Sequence, residues 1–383
     1  MMNKKVKTTL LLLIFSTALF AQKRKVAEAI MAREEGNLQS AYTAISEALN
    51  PDDPVAAAKT LNWPRAWEVK AEILYDIHKM GMRNIVYEPL LEAYKSYQKI
   101  LELNPRKGML YDTRANLRKM MPDLSEMAFK AFKLGRYNVA LEGYQHYLDI
   151  ASMPLIKHED PVNVDTTVYY NAGLAAFSSK DWEDAIRYFS ISKEKNKYSE
   201  DSYFYMYGAY KALEDTINQY NTLRQAFERY PNSENINIEL VKFCIDTDRP
   251  KEAIEYIDVA IGNSPDNAAF YTLKGRALED AGDDDSAIKA YEKAIALDST
   301  LFVPTYNLAV IYYNRGVYFI NKAIKLPQDE DDEYLKQVAI GTKELVKGLP
   351  LFEAANKIRP ENEKVLESLS FIKEQMQKLE SSN

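Results

Sequence analysis

Residues 271–297 read YTLKGRALEDAGDDDSAIKAYEKAIAL, and a shift of 34 positions back lands on a matching frame, NIELVKFCIDTDRPKEAIEYIDVAIGN, at residues 237–263. The match extends over four stretches. A mostly small slot holds Ala185, Gln219, Ala253 and Ala287; a bulky slot four later holds Phe189, Leu223, Ile257 and Tyr291; a second small slot holds Ser192, Ala226, Ala260 and Ala294. Earlier in each stretch an aromatic-type slot holds Tyr169, Tyr203, Asn237 and Tyr271. Steps of four and three put the first three slots on one face of a helix. A period of 34 leaves room for two such helices and a turn, a unit that buries its apolar face only against its neighbours.

The punctuation agrees with paired helices. Pro231 and Pro265 stand one period apart and each stops a helix, because proline lacks the amide donor and clashes with the preceding turn. Gly282 marks a turn, and Asp283 to Asp285 put carboxylates at the positive end of the next helix. The register extends in both directions. A first unit runs from about residue 22 with Gly36 at its turn, Ala41 and Ala48 on its second helix, and Pro51 and Pro54 at its end. A second begins near Trp67 and closes with Ala93, Tyr97, Ile100 and Pro105, carrying about ten inserted residues between His78 and Glu88. A third shows Ala128, Ala131, Gly135, Ala140 and Tyr144.

This reading divides the chain into a leader at 1–21, N-terminal units at 22–154, a hinge loop at 155–165, four regular units at 166–301, an elongated hairpin at 302–362, and a capping helix with tail at 363–383. The hairpin is called elongated because Leu308, Ala309, Tyr312 and Gly316 on one side and Gly348, Phe352, Ala355 and Pro360 on the other enclose 27 extra residues. Helical periodicity continues through Ile320, Ala323 and Ile324 and resumes at Leu335, Val338 and Leu345, around the acidic break Gln328 to Glu333. Val365, Leu369, Ile372, Met376 and Leu379 form the single apolar stripe of a helix suited to closing an open end.

On these slots the chain resembles the tetratricopeptide repeat (TPR) proteins over nearly its whole length, most strongly from Thr166 to Leu301. The resemblance implies an all-α, right-handed superhelical solenoid of helix-turn-helix units with a C-terminal capping helix. In that family the first helix of each unit lines a concave groove that grips peptides or protein segments. The groove slots here fall on Tyr170, Asn171, Phe177, Phe204, Tyr205, Lys242, Arg276, Tyr306, Asn307 and Tyr313. Some members clamp a terminal carboxylate with a Lys/Asn set. Asn171 and Asn307 match its single Asn, whereas Asp201 and Tyr205 stand where basic residues would follow Asn171. The implied partner is a protein or peptide, partly apolar. With 27 tyrosines in the chain, packing between repeats is the competing role for these aromatics.

Lys4, Lys5 and Lys7 precede an uncharged stretch from Thr8 to Phe20, and Ala21 offers a small residue for cleavage, the pattern of a signal peptide. The expectation is export, to the periplasm first, with outer-membrane association or secretion as alternatives. Without a cysteine at the cleavage point the mature chain is not a lipoprotein. Loss of the three lysines takes the formal charge from -7 to -10, the wrong sign for a nucleic-acid surface. One cysteine, Cys244, excludes internal disulfides and occupies an apolar packing slot.

Catalytic chemistry is sparse. The histidines are His78, His146 and His158, far apart in sequence, and His158 with Glu159, Asp160 and Asp165 lacks zinc-site spacing. Ser-x-x-Lys occurs five times, as chance allows in a lysine-rich helical chain, and no phosphate loop, G-x-S-x-G elbow or H-E-x-x-H pair occurs. No catalytic residue, cofactor or metal is therefore expected. The leading function is a non-enzymatic protein–protein interaction scaffold or adaptor in the bacterial envelope. A carbohydrate-binding component of an outer-membrane uptake system is the alternative, and an enzyme with an unrecognised site comes third.

Overall fold

The computed structural model describes residues 22–53, 59–153, 164–195, 199–327 and 331–380, and among these every regular element is a helix. The leader 1–21 lies outside the described residues, as does the expected hinge 155–165 apart from Val164 and Asp165. Helix α1 spans 22–34. It is followed by α2 (Leu38–Ala48), α3 (Pro64–Lys79), α4 (Pro89–Glu102), α5 (Lys107–Lys133) and α6 (Tyr137–Ser152). The regular region holds α7 (Thr166–Ser179), α8 (Trp182–Lys195), α9 (Ser199–Ala212), α10 (Thr216–Arg229), α11 (Glu234–Asp246), α12 (Pro250–Asn263), α13 (Ala268–Asp280) and α14 (Asp284–Leu297). The long pair α15 (Phe302–Ile324) and α16 (Asp331–Ile358) and the last helix α17 (Glu363–Glu380) complete the chain.

The helices divide into two compact bodies, Met1–Leu213 and Glu214–Asn383. The boundary falls inside one repeat, so that α9 closes the first body and α10 opens the second. Within each body the periodic slots do what their sizes require. Ala185, Phe189 and Ser192 are buried in the first; Leu223, Ala226, Ala253, Ile257, Ala260, Ala287, Tyr291 and Ala294 are buried in the second. Gly173 shows why one helix of a pair carries glycine: a Cβ there would sit 2.8 Å from the Phe189 ring, which occupies that space. Gly275 receives the Tyr291 ring in the same way.

The turns within the regular hairpins share one conformation. Lys180, Glu214, Asp248 and Gly282 stand one period apart with φ of 65°, 57°, 58° and 80°. Only the last is the residue that favours this left-handed region. Side-chain caps recur as well: Asp165, Asp215, Ser233, Asn267 and Asp283 each accept a backbone N–H of the helix they open.

Two elements are longer than their counterparts in an ordinary repeat. The third repeat, read from Ala128 onward in the sequence, opens with a 27-residue helix, α5, that begins at Lys107 and runs through Pro122. A proline forfeits one ladder hydrogen bond there, which the buried stripe Leu117, Met120, Met121 and Leu124 outweighs. In the α15/α16 pair, Gly316 and Gly341 bring the backbones together, since a Cβ on Gly341 would lie 2.8 Å from the Gly316 carbonyl oxygen. Phe352, Ala355, Val365, Leu369 and Ile372 then bury α17 against α16.

Candidate functional site

In the first body a cleft of about 610 Å³ opens between α5, α6 and α7. Its walls come from one helix face of each. On α5 the steps Arg118, Pro122, Ser125 and Phe129 are four, three and four residues, so these side chains form a single stripe. Tyr144 and Tyr147 rise from α6, and Thr167, Val168 and Asn171 from the first turns of α7. Phe129 is 49% exposed, an apolar ring held at the open edge. Tyr144 is buried, which pushes its hydroxyl up to about 12, and the Asn171 amide hydrogen-bonds to it. The cleft thus combines apolar walls with an amide, hydroxyls and charges of both signs, Arg118 against Glu126 and Asp165.

The expected groove residues separate into three groups. Asn171 lines the cleft. Tyr170, Phe177 and Tyr205 come together next to it but are engaged with one another and with the second helix of the repeat. Tyr205 stacks on Phe189 at 5.1 Å and meets Phe177 at 5.2 Å, Tyr170 meets Phe189 at 5.8 Å, and Phe177 meets Trp182 at 5.2 Å. Each such ring pair contributes about 0.5–1.5 kcal/mol beyond area burial, so packing accounts for much of why these aromatics are there. Phe204 is half-buried on α9.

In the second body the remaining residues do not form one site. Lys242 is exposed and pairs with Glu239 at 3.1 Å. Arg276 pairs with Asp246 at 3.2 Å and reaches Asp280 at 4.0 Å. Tyr306 stacks on Phe302 at 5.5 Å and meets Phe352 at 6.0 Å, while Tyr313 lies against Phe352 and, at 5.5 Å, Phe371 of α17. Asn307 donates to the hydroxyl of buried Tyr291 at 3.1 Å.

Arg118, Pro122, Phe129 and Tyr147 line the cleft without having been expected there. The stripe of α5 carried the signal, but a proline in its middle and an irregular preceding segment hid the helix.

Of the histidines, His78 is half-buried at the end of α3, and His146 stacks on Tyr94 at 3.8 Å with both ring nitrogens buried. His158 lies outside the described residues. Among the described residues no group of three or more His, Cys, Asp or Glu side chains is placed to hold a metal ion, and no helix is long and apolar enough to cross a membrane.

Residues 244–301 match the family model for the tetratricopeptide repeat. That stretch is similar to tetratricopeptide repeats. A TPR repeat-containing protein of Methanocaldococcus jannaschii, MJ1428, is 28% identical over 146 residues, which are 38% of this chain and 20% of that protein. The chain therefore spans about one fifth of the length of the curated relative it matches. Among solved structures, a TPR repeats protein of Bacteroides fragilis NCTC 9343 is 20% identical with a TM-score of 0.35, covering 66% of this chain and 97% of that one. MamA from Desulfovibrio magneticus RS-1 is 16% identical with a TM-score of 0.36, covering 49% of this chain and 96% of that one.

Proposed function

We propose that this TPR protein is a non-enzymatic scaffold that binds a segment of another protein in the α5–α6–α7 cleft. The observation that carries the reading is the exposed stripe Arg118–Pro122–Ser125–Phe129 facing Val168 and Asn171 across a volume large enough for one or two side chains. The segment it suits presents an apolar side chain to Phe129, Pro122 and Val168, with backbone amides that meet the Ser125 and Thr167 hydroxyls. The leader-like stretch Lys4 to Ala21 supports an exported protein working in the envelope, the periplasm first.

A photo-crosslinking phenylalanine analogue at position 129, compared with one at Met31, which is 60% exposed, tests this in cells. A discrete adduct from position 129 that disappears with Val168→Asp is expected. Equal adducts from both positions, or none from 129, would remove the cleft from consideration. Fractionation of the same cells tests the compartment, with retention in the cytoplasm counting against export.

A further inference from the structure

The slot three residues after the aromatic one is apolar and buried in four of the repeats: Ala172, Met206, Leu240 and Leu308 are 0%, 5%, 0% and 2% exposed. In the remaining repeat it is Lys274. Its side chain is 30% exposed and its ammonium pairs with Asp258 on the preceding helix at 2.7 Å. Where an apolar residue would close the stack, a cleft of about 430 Å³ stands open between α12, α13 and α14. Ile254, Leu278 and Ala290 line it with apolar surface, and Tyr271 forms one wall. Lys289 and Lys293, one turn apart on α14, join Lys274 in the lining, and Lys293 lies over the Tyr271 ring at 5.9 Å. The lining sets three ammonium groups against the single carboxylate of Asp258. A repeat that departs from its own pattern at a core slot, and gains a cationic cleft there, gives up packing for recognition.

The occupant has to be acidic with an apolar side chain next to the charge. This chain contains such a segment on its own surface. The first turn of helix α16 carries Asp332-Glu333-Tyr334-Leu335, where Asp332 is exposed and Tyr334 and Leu335 are 43% and 63% exposed. We infer that the Lys274 cleft of one molecule receives the start of α16 from a second copy of this chain. Tyr334 or Leu335 rests on the Ile254–Leu278 surface, and the adjoining Asp332 carboxylate faces Lys289 and Lys293. The two surfaces differ, so the contact is head-to-tail, and association continues beyond a dimer unless the geometry closes a ring.

Sedimentation equilibrium of the purified protein tests the inference with two variants. Lys274→Leu installs the residue type that the other repeats carry, so it keeps the fold while filling the cleft. Tyr334→Ala/Leu335→Ala trims only exposed side chains. The wild type is expected to self-associate between about 1 and 100 µM, the range of modest protein contacts. Each variant alone is expected to stay monomeric. An equimolar mixture of the two is expected to stop at a one-to-one complex, because each variant retains the surface the other has lost. Raising the salt to about 0.5 M, where screening is strong, weakens the association. A monomeric wild type at the top of that range overturns the proposal, even if a synthetic peptide of residues 331–337 binds the cleft. Variants that associate as the wild type does overturn it equally.

Discussion

The amide of Asn307 donates to the hydroxyl of Tyr291 at 3.1 Å, joining α15 to the buried ring of the preceding repeat, and Tyr291 in turn donates to Glu279 at 3.0 Å. Asn171 occupies the same slot four periods earlier, where it hydrogen-bonds Tyr144. Both asparagines are thus committed to holding a buried tyrosine between repeats. In Asn307→Ala the Tyr291 hydroxyl loses a donor but keeps Glu279 as acceptor, which should cost about 1 kcal/mol. Chemical denaturation with Asn307→Ala and with the double variant Asn307→Ala/Tyr291→Phe measures it. A further loss is expected in the double variant, because Tyr291→Phe takes from the half-buried Glu279 carboxylate its donor, and an unchanged midpoint in the single variant would contradict a structural role.

Gly275→Ala should destabilise the second body by about 1–3 kcal/mol, the usual cost of overpacking a close-packed site. The added methyl group would overlap the fully buried Tyr291 ring, which would have to shift. A companion Gly275→Ala/Tyr291→Leu protein should regain part of the loss, as read by thermal unfolding. An equally stable Gly275→Ala would show that the ring can shift.

Lys180→Gly and Asp248→Gly should each stabilise the fold by about 0.5–1 kcal/mol. Both residues hold the left-handed conformation at φ 65° and 58°, and relief of that strain exceeds the entropy glycine adds to the unfolded chain. Gly282 at φ 80° in the same slot is the built-in control, and Gly282→Ala should destabilise. Denaturant midpoints distinguish the three.

His146 makes stability depend on pH in a definite direction. Burial pushes its pKa below the ordinary 6.5, against the opposing pull of Glu142 and Asp149, with Lys95 also nearby. A depressed pKa means the neutral form is favoured in the folded state, so its contribution is complete above pH 6.5 and is lost as pH falls through the folded value. The slope is at most about 1.4 kcal/mol per pH unit for one proton. His78 shifts the same way through burial. His146→Phe keeps the stack on Tyr94 and should flatten the fall in melting temperature between pH 7 and pH 5. An identical pH profile for the variant would exclude His146 as the source.

Burial pushes the Cys244 thiol up to about 12, leaving almost no thiolate at neutral pH. Alkylation of the native protein should be slower than that of the unfolded chain by orders of magnitude. Rapid labelling under native conditions would show that α11 opens locally.

The period of 34 made the helical hairpins legible, because the spacing of Ala253, Ile257 and Ala260 specifies which face of a helix is buried whatever lies against it. The bulky residue against a glycine, Phe189 on Gly173, follows the same rule. The left-handed turns at Lys180, Glu214 and Asp248 were not legible. Their side chains carry no signature of a conformation that the hydrogen-bonded hairpin imposes on them. Nor was α5 legible as one helix, since Pro122 reads as a stop until the buried stripe on both sides of it is seen.

The division at the candidate sites has a single physical cause. Helical pattern is local, so the all-α class, the repeat length, the small and bulky slots and the aromatic enrichment of the first helices can be read from residue order without knowing what packs where. What covers a given side chain depends on residues tens of positions away and on how closely two repeats approach. Tertiary structure alone decided that Tyr205 is spent on Phe189, that Asn307 serves Tyr291, and that the α5–α6–α7 cleft and the Lys274 cleft stand open.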